Sequence, residues 1–302
     1  MDLASISVII PTYNRAGMLS RVLPSYLASS LVGEVLVVDD GSQDETRAVV
    51  EGFCESDARV RLLLHERNLG LTFGRNTGLE HARSELLLFS EDDLELDPPS
   101  VEILVQHMEQ SGADIIAGRR IWMRLGETRE EALDRANHWR GPVVSTRLME
   151  HFGHAVTASD VTVPLVDATM LVRRAVTEQV RFAGCYPGNA WREESDFQLT
   201  AQQRGFRVVF CPHSVCYHHD RATAGRGSAR ISGSLVYLYW VFRNNLTFLR
   251  RHRRYLRRTH PEALLLGSPL LGACLNLAFR SAWLARVEVR RAGHALRSRE
   301  RS

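Results

Sequence analysis

Along the first 120 residues, short runs of consecutive apolar residues alternate with longer stretches whose apolar positions recur at helical spacing. The runs are apolar on both faces, as strands covered by helices on both sides must be, and the longer stretches are amphipathic helices. Ile6–Ile10 is the first run; it stops at Pro11, and a helix is expected through Leu27. Val35–Val38 follows, ends in Asp39-Asp40-Gly41-Ser42, and leads into a helix over Asp44–Phe53. Val60–Leu64 is the third strand, and the turn Asn68-Leu69-Gly70 opens a helix through Ala82. Leu86–Phe89 is the fourth and runs into Ser90-Glu91-Asp92-Asp93. Pro98 and Pro99 open another helix, where proline is tolerated because first-turn N–H groups lack intrahelical partners. Asp114–Gly118 predicts a fifth strand. This alternation is the rhythm of an α/β protein with a parallel sheet.

Beyond it, residues 123–160 are polar and irregular, with a turn at Gly141-Pro142, and read as an insertion. Sheet-like patterning resumes at Val166–Arg173, and Arg207–Cys211 predicts a further strand. From Ile231 the chain is expected to be helical, aromatic at first and then basic. Leu264–Phe279 is strongly apolar, but its 16 residues include Pro269 and Asn276. That is short for a spanning helix, and a buried or interfacial helix is the expectation.

The formal charge of +3 over 302 residues conceals an asymmetry. Residues 243–302 hold 14 Arg against 3 acids, and the remaining 242 residues hold 24 Arg against 32 acids. A basic tail on an acidic body suggests a polyanion or a membrane surface near the tail. Every basic residue is Arg and none is Lys, which reads as genomic composition bias. The five cysteines, at 54, 185, 211, 216 and 274, form no compact disulfide framework, and no basic-then-apolar segment opens the chain. A reducing cytoplasmic setting, or the inner face of a membrane, is therefore expected.

In an open parallel sheet, ligands bind beyond the carboxyl ends of the strands. Tyr13-Asn14-Arg15, Asp39-Asp40 and Glu91-Asp92-Asp93 all follow strand ends, so one crevice can gather them. Three adjacent carboxylates repel one another, and a divalent cation bridging diphosphate oxygens relieves that repulsion. A solvated surface loop is the alternative. Asp39 can accept from a base N–H or bond a ribose hydroxyl, while Ser42 or Asp44 caps the following helix. Glu193-Glu194-Ser195-Asp196 is either a set of acid/base groups or an acidic first helical turn beside the positive end of the dipole. Cys211-Pro-His213-Ser-Val-Cys216-Tyr-His218-His219 carries zinc-ligand chemistry. Strand alternation, however, puts Cys211 and Cys216 on opposite faces, and zinc is the weaker reading. The stretch Arg250–Arg258 suits a membrane-facing or solvated surface better than nucleic acid.

Four strings stand in order: SVIIPTYNRAGML, EVLVVDDGSQDET, RNLGLTFGRNTGLEHARSELLLFSEDDLEL and WREESDFQLTAQQRGFRVVFCPHSVCYHH. Together, over residues 5 to 220, they resemble glycosyltransferase family 2, the inverting enzymes with a GT-A fold. The resemblance implies a Rossmann-like, mixed, mostly parallel central sheet with flanking helices. It implies a catalytic domain over 1–225, with nucleotide-sugar binding in 1–120 and the acceptor side in 121–225, and a helical, Arg-rich region over 226–302. By the resemblance, Pro11, Tyr13 and Arg15 line the base pocket, Asp39 contacts base or ribose, and Gly70, Arg75 and Asn76 close over the donor. The acidic element falls on Glu91, Asp92 and Asp93, with Asp93 and Glu91 as ligands of Mn²⁺ or Mg²⁺, Asp92 on the donor, and His218 beside the metal or diphosphate. The general base is Glu194 or Glu193, with Asp196 in the same group. Glu at 91 and 194 departs from the family's usual Asp.

The expected function is transfer of a sugar from a nucleoside-diphosphate sugar to a glycan or lipid-linked hydroxyl acceptor, with peripheral membrane contact through the C-terminal region and no nucleic-acid partner. A non-catalytic binding protein on the same fold is the first rival. A nucleotidyltransferase is the second, and lacks its Gly-rich loop here, because Pro11-Thr-Tyr-Asn-Arg15 follows the first strand.

Overall fold

The computed structural model describes residues 5–219 and 234–282. Its first half follows the alternation in the sequence: β1 (Ile6–Thr12), α1 (Ala16–Leu27), β2 (Val32–Asp39), α2 (Thr46–Ser56), β3 (Val60–Leu64), α3 (Leu71–His81) and β4 (Leu86–Phe89). Then come β5 (Leu94–Leu96), α4 (Ser100–Ser111), β6 (Ile115–Trp122), α5 (Arg129–Asn137), and the short strands β7 (Val144–Ser145), β8 (Glu150–His151) and β9 (Val161–Thr162). β10 (Met170–Arg173), α6 (Arg174–Gln179), α7 (Glu193–Gln202) and β11 (Val208–His218) complete the sheet-bearing unit. The basic region supplies α8 (Ser234–Arg251), α9 (Arg253–Thr259) and α10 (269–282).

Nine strands form one sheet in the order β3-β2-β1-β4-β10-β6-β11-β5, with β9 paired to β11. β1 is parallel to β2 and β4, β2 to β3, and β6 to β11, while β10, β5 and β9 run antiparallel to their neighbours. The sheet is mixed and mostly parallel. Alternation sorts the side chains: Val8 and Ile10 of β1 pack with Leu19 and Leu23 of α1, while Ile9 faces Leu79 of α3 and Phe197 of α7. A layer on each face explains why these strands are apolar throughout.

Three elements differ from the sequence expectation. β6 continues four residues past Gly118, because Arg119 and Arg120 are buried with partners: Asn137 for the first, Asp167 and Glu91 for the second. The stretch read as an irregular insertion contains α5, whose Thr128 and Glu131 form a capping box. β11 also runs beyond Cys211, and carries a bulge: it advances five residues, Phe210 to Val215, while β6 advances two. The bulge resets the alternation, so Cys211 and Cys216 enter the same core cluster and do not lie on opposite faces. Gly118 permits this, since a Cβ there would lie 2.5 Å from the Ser214 carbonyl oxygen.

The boundary expected at residue 225 lies outside the described residues. Phe248, Leu249, Leu256 and Ala273 share a core with Met149, Leu165, Tyr186 and Leu199 of the sheet-bearing unit. Two polar clamps reinforce this contact. Glu150 is buried against Arg192, Asn276 and Arg280, and Asp196 against Tyr186, Arg251 and His252. The apolar stretch Leu264–Phe279 is broken: Leu266 is left-handed (φ 52°) and 89% exposed, and α10 begins at Pro269. Among the described residues, no helix is long and apolar enough to cross a membrane.

Candidate active site

The parallel strands end together, and the acidic run sits on the tight connection between β4 and β5. β4 is held in the sheet by β1 and β10, and β5 by β11, so both sides of the connection are fixed. Tyr26 of α1 pins it from below: its hydroxyl donates to the Leu94 carbonyl (2.9 Å) and shares a hydrogen bond with Ser90 Oγ (2.7 Å). Pairing of His218 with Leu94 brings the end of β11 alongside, and the His219 N–H donates to the Asp93 carbonyl at 3.0 Å.

Each carboxylate of the run has its own partner. Glu91 pairs with Arg120, Asp92 accepts from Thr12 Oγ1 (2.8 Å) and faces Arg15 Nε at 3.6 Å, and Asp93 meets Arg15 at 3.3 Å and His218 Nε2 at 3.4 Å. Burial pushes Glu91 up, but Arg120, His218 and Arg75 outweigh it and hold the carboxyl down at about 2. Asp92 goes the other way, raised to about 7 by burial, with the neighbouring Asp93 and Glu91 adding to the effect and Arg15 opposing it. One ligand atom from each of Glu91, Asp93 and His218 lies within 4.8 Å of the others. Two carboxylates and an imidazole at that spacing suit a divalent ion such as Mn²⁺ or Mg²⁺. The His218 ring is fixed by stacking on Trp122 (centroids 3.9 Å apart).

A second group lies at the start of α7. Glu193 is buried and its Oε1 meets Arg75 Nε at 3.0 Å; burial above all, with Glu194 and Glu91 adding, raises its carboxyl to about 8 against the pull of Arg75. Arg75 is fully buried between this glutamate and the rings of Phe89 and Phe182. Both terminal nitrogens of its guanidinium lack hydrogen-bond partners. Glu194 is only half-buried, and burial raises its carboxyl from the ordinary value. Arg192, in a left-handed conformation (φ 80°), turns the chain into α7 and anchors it by donating to Leu148 and Met149 carbonyls and to Glu150.

Several residues singled out in the sequence have other neighbours. Asp196 is turned away from the two glutamates' partners and accepts from Tyr186 (2.7 Å), Arg251 (2.8 Å) and His252 (2.8 Å), which makes it a clamp for α8 and α9. Asn76 clasps the backbone of Phe182 with both amide atoms, at 2.9 and 3.1 Å. Pro11 packs under Gly74, where a Cβ would come within 2.9 Å. Gly70 caps α3 at φ 99°, and its N–H donates to Asp40 Oδ2 (2.8 Å). Asp40, not Asp39, holds this loop, since it also accepts from Leu69 N–H and pairs with His65. Asp39 ends β2, buried, with one oxygen bonded to the Ser42 N–H. Tyr13 is half-buried beside Asn14, which is left-handed and bridges to Ser42 and Gln43.

Sequence reasoning missed Arg120 and Asp167. Arg120 joins Glu91 to Asp167 (2.9 Å) and lies 5.5 Å from the Trp122 ring, so it sets both the acidic run and the aromatic wall behind His218. The signal was present: two adjacent arginines inside an otherwise apolar strand need buried partners.

The sequence pattern of Glycosyl transferase family 2 matches residues 7–181, more than half of the chain. Among curated relatives, the chain is 31% identical over 112 residues to the uncharacterized glycosyltransferase EpsJ of Bacillus subtilis, covering 37% of this chain and 32% of the relative. It is also 31% identical over 112 residues to the GalNAc(5)-diNAcBac-PP-undecaprenol beta-1,3-glucosyltransferase of Campylobacter jejuni, 36% of each. The matched segments thus span about a third of these relatives' lengths. Among solved structures, mannosyltransferase PcManGT of Pyrobaculum calidifontis in complex with GDP-Man and Mn²⁺ superposes with TM-score 0.57 at 18% identity, covering 97% of this chain and 81% of that one. S. aureus TarS in complex with UDP-GlcNAc gives 0.56 at 18% identity, over 86% and 76%. At that identity the likeness bears on the fold, which is of GT-A type. With the family's pattern over most of the sheet and the expected fold around it, the chain belongs to glycosyl transferase family 2.

Proposed function

We propose that the chain transfers a sugar from a nucleoside-diphosphate sugar to a hydroxyl acceptor, in a single displacement with inversion. The observation that carries this reading is the electrostatic link, through buried Arg75, of two groups: Glu91, Asp93 and His218 at metal-ligand spacing, and the Glu193–Glu194 pair on α7. Glu91, Asp93 and His218 would hold Mn²⁺ or Mg²⁺, whose charge stabilises the departing diphosphate. Glu194 is the general base: it is the accessible member of its pair, and its raised pKa makes it a stronger base than an ordinary carboxylate. It takes the acceptor hydroxyl's proton as that oxygen bonds to the anomeric carbon and the bond to the diphosphate oxygen breaks. Glu193, locked against Arg75, positions this turn of α7. Asp39, Tyr13 and Arg15 border the nucleotide side.

The solved relatives hold UDP-GlcNAc in one case and GDP-Man with Mn²⁺ in the other, which supports the donor class and the metal and leaves the base open. The Campylobacter relative is named for an undecaprenol-linked substrate, which supports a lipid-linked glycan acceptor. Arg250, Arg253 and Arg257 line an open cavity edged by Leu266 and Leu270, a surface suited to peripheral contact with an anionic membrane. Turnover of a donor panel with Mn²⁺ or Mg²⁺ tests the reading. Glu194→Gln should lower kcat by about 10²–10⁴ with donor affinity retained, and Asp93→Ala should abolish the metal dependence together with most activity. Normal turnover by both variants refutes the site, and no turnover by the parent protein across the panel favours a non-catalytic binder.

A further inference from the structure

The segment Cys211-Pro212-His213-Ser214 forms the bulge of β11, on the side of the strand away from His218, and takes no part in the cleft above. Cys211 is fully buried, and burial, with Asp160 adding, pushes its thiol up to about 11 against the His213 and Ser214 N–H groups. Metal ligation by this sulfur would displace the thiol proton. Two side chains from separate elements close on this sulfur. His107 comes from the last turns of α4, and Asp160 from the residue preceding β9. His107 Nδ1 lies 2.8 Å from Asp160 Oδ2, and one ligand atom each from His107, Asp160 and Cys211 falls within 4.8 Å of the others. The second carboxylate oxygen, Asp160 Oδ1, is buried, and the Cys211 thiol is the hydrogen-bonding neighbour of this carboxylate. The ring of His213, itself exposed, sits with its centroid 5.0 Å from that of His107, tilted by 32°.

We propose that His107, Asp160 and Cys211 form a second metal site, for a zinc-class divalent ion, with the exposed His213 ring beside His107 as a neighbouring donor. The donor set makes the choice of ion. Thiolate and imidazole with one carboxylate favour Zn²⁺, whereas the two carboxylates of the cleft suit the harder Mn²⁺ and Mg²⁺. Its three ligands come from three separate segments, so the site is structural. It ties α4, the entry to β9 and the β11 bulge to one point, and thereby fixes the bulge from which β11 proceeds to His218.

Cobalt titration of the full chain in reducing buffer tests this, with the Asp93→Asn variant as parent so that the cleft does not compete. The expected result is one equivalent of Co²⁺ bound with a thiolate-to-metal charge-transfer band, displaced by Zn²⁺ and not by Mg²⁺. Cys211→Ser should remove the band, and His107→Gln should weaken binding at least tenfold. Zn²⁺ should raise the Tm of the Asp93→Asn parent and not that of its His107→Gln derivative. His107 is partly exposed, so its variant gives an answer even if the buried Cys211→Ser fails to fold. No bound Co²⁺, binding without a charge-transfer band, or binding unchanged in His107→Gln would each overturn the proposal.

Discussion

Replacing Asp196 with alanine removes the acceptor of three donors at once. Two of them, the Tyr186 hydroxyl and His252 Nε2, belong to side chains that stay buried. His252 cannot easily reorganise, because its Nδ1 faces Gln203 Nε2 at 2.8 Å, which leaves Nε2–H to donate to Asp196. Each orphaned buried donor costs about 1–3 kcal/mol. Arg251 is 46% exposed and finds water instead, so its pair adds at most about 1 kcal/mol. The sum, about 2–7 kcal/mol, brackets the usual cost of breaking a buried charged pair. At an unfolding entropy of roughly 2.1 cal/mol/K per residue, this lowers Tm by about 3–11 °C for a chain of this length. The sign with pH is fixed as well. Burial raises the Asp196 carboxyl, but His252, Arg251 and Tyr186 together bring it below its ordinary 3.8. Its contribution is therefore full above that value and disappears as pH falls through the depressed one, where the parent and variant curves converge. Thermal melts and steady-state rates measured below the variant's transition separate a clamp from a catalyst. The clamp predicts a lowered Tm with kcat near the parent value, and an unchanged Tm with collapsed turnover would refute it.

Burial raises Glu194, so the acid limb of the kcat/KM profile should lie above the ordinary glutamate value of 4.5, with activity rising as pH passes through it; the limb should vanish in Glu194→Gln. Gly118→Ala would push a methyl against the Ser214 carbonyl, and melts should show a loss of about 1–3 kcal/mol as β6 and the bulge separate. Charge reversal by Arg253→Glu and Arg257→Glu should reduce cosedimentation with anionic vesicles while leaving neutral vesicles unaffected; equal binding of parent and variant to anionic vesicles would exclude this face as the contact.

The first half of the molecule was legible because local pattern and tertiary role agree there. β3 and β4 span Val60–Leu64 and Leu86–Phe89 as read, while β1 continues past Pro11 to Thr12 and β2 extends its run to Val32–Asp39. Glu91, Asp93 and His218 were each legible as candidates, although their meeting depends on the β5–β11 pairing, which joins residues 120 to 124 positions apart. What failed did so for identifiable reasons. Charged residues were read as strand ends, yet Arg119 and Arg120 continue β6 because partners from distant segments pay for their burial. Polarity hid α5, although Thr128 and Glu131 carried its N-terminal signal. Adjacency in sequence grouped Asp196 with Glu193 and Glu194, whereas a helix points neighbouring positions to different sides. The faces of Cys211 and Cys216 depended on a bulge that no local pattern announces.

The two clamps joining the helical region to α7 and β8 bear on how the protein forms during synthesis. Strands β1 to β4 and their helices make contacts among residues already exported from the ribosome in order, and this half can consolidate early. The helix bearing the two glutamates cannot. Asp196 waits for partners 55 and 56 residues downstream, and Glu150 for partners 126 and 130 residues downstream. Until they emerge, two buried carboxylates and the apolar side chains around Leu199 have nothing to close against. A nascent chain therefore acquires the architecture of β1 to β4 well before that around α7, and the interval between them is when it most needs shielding from self-association.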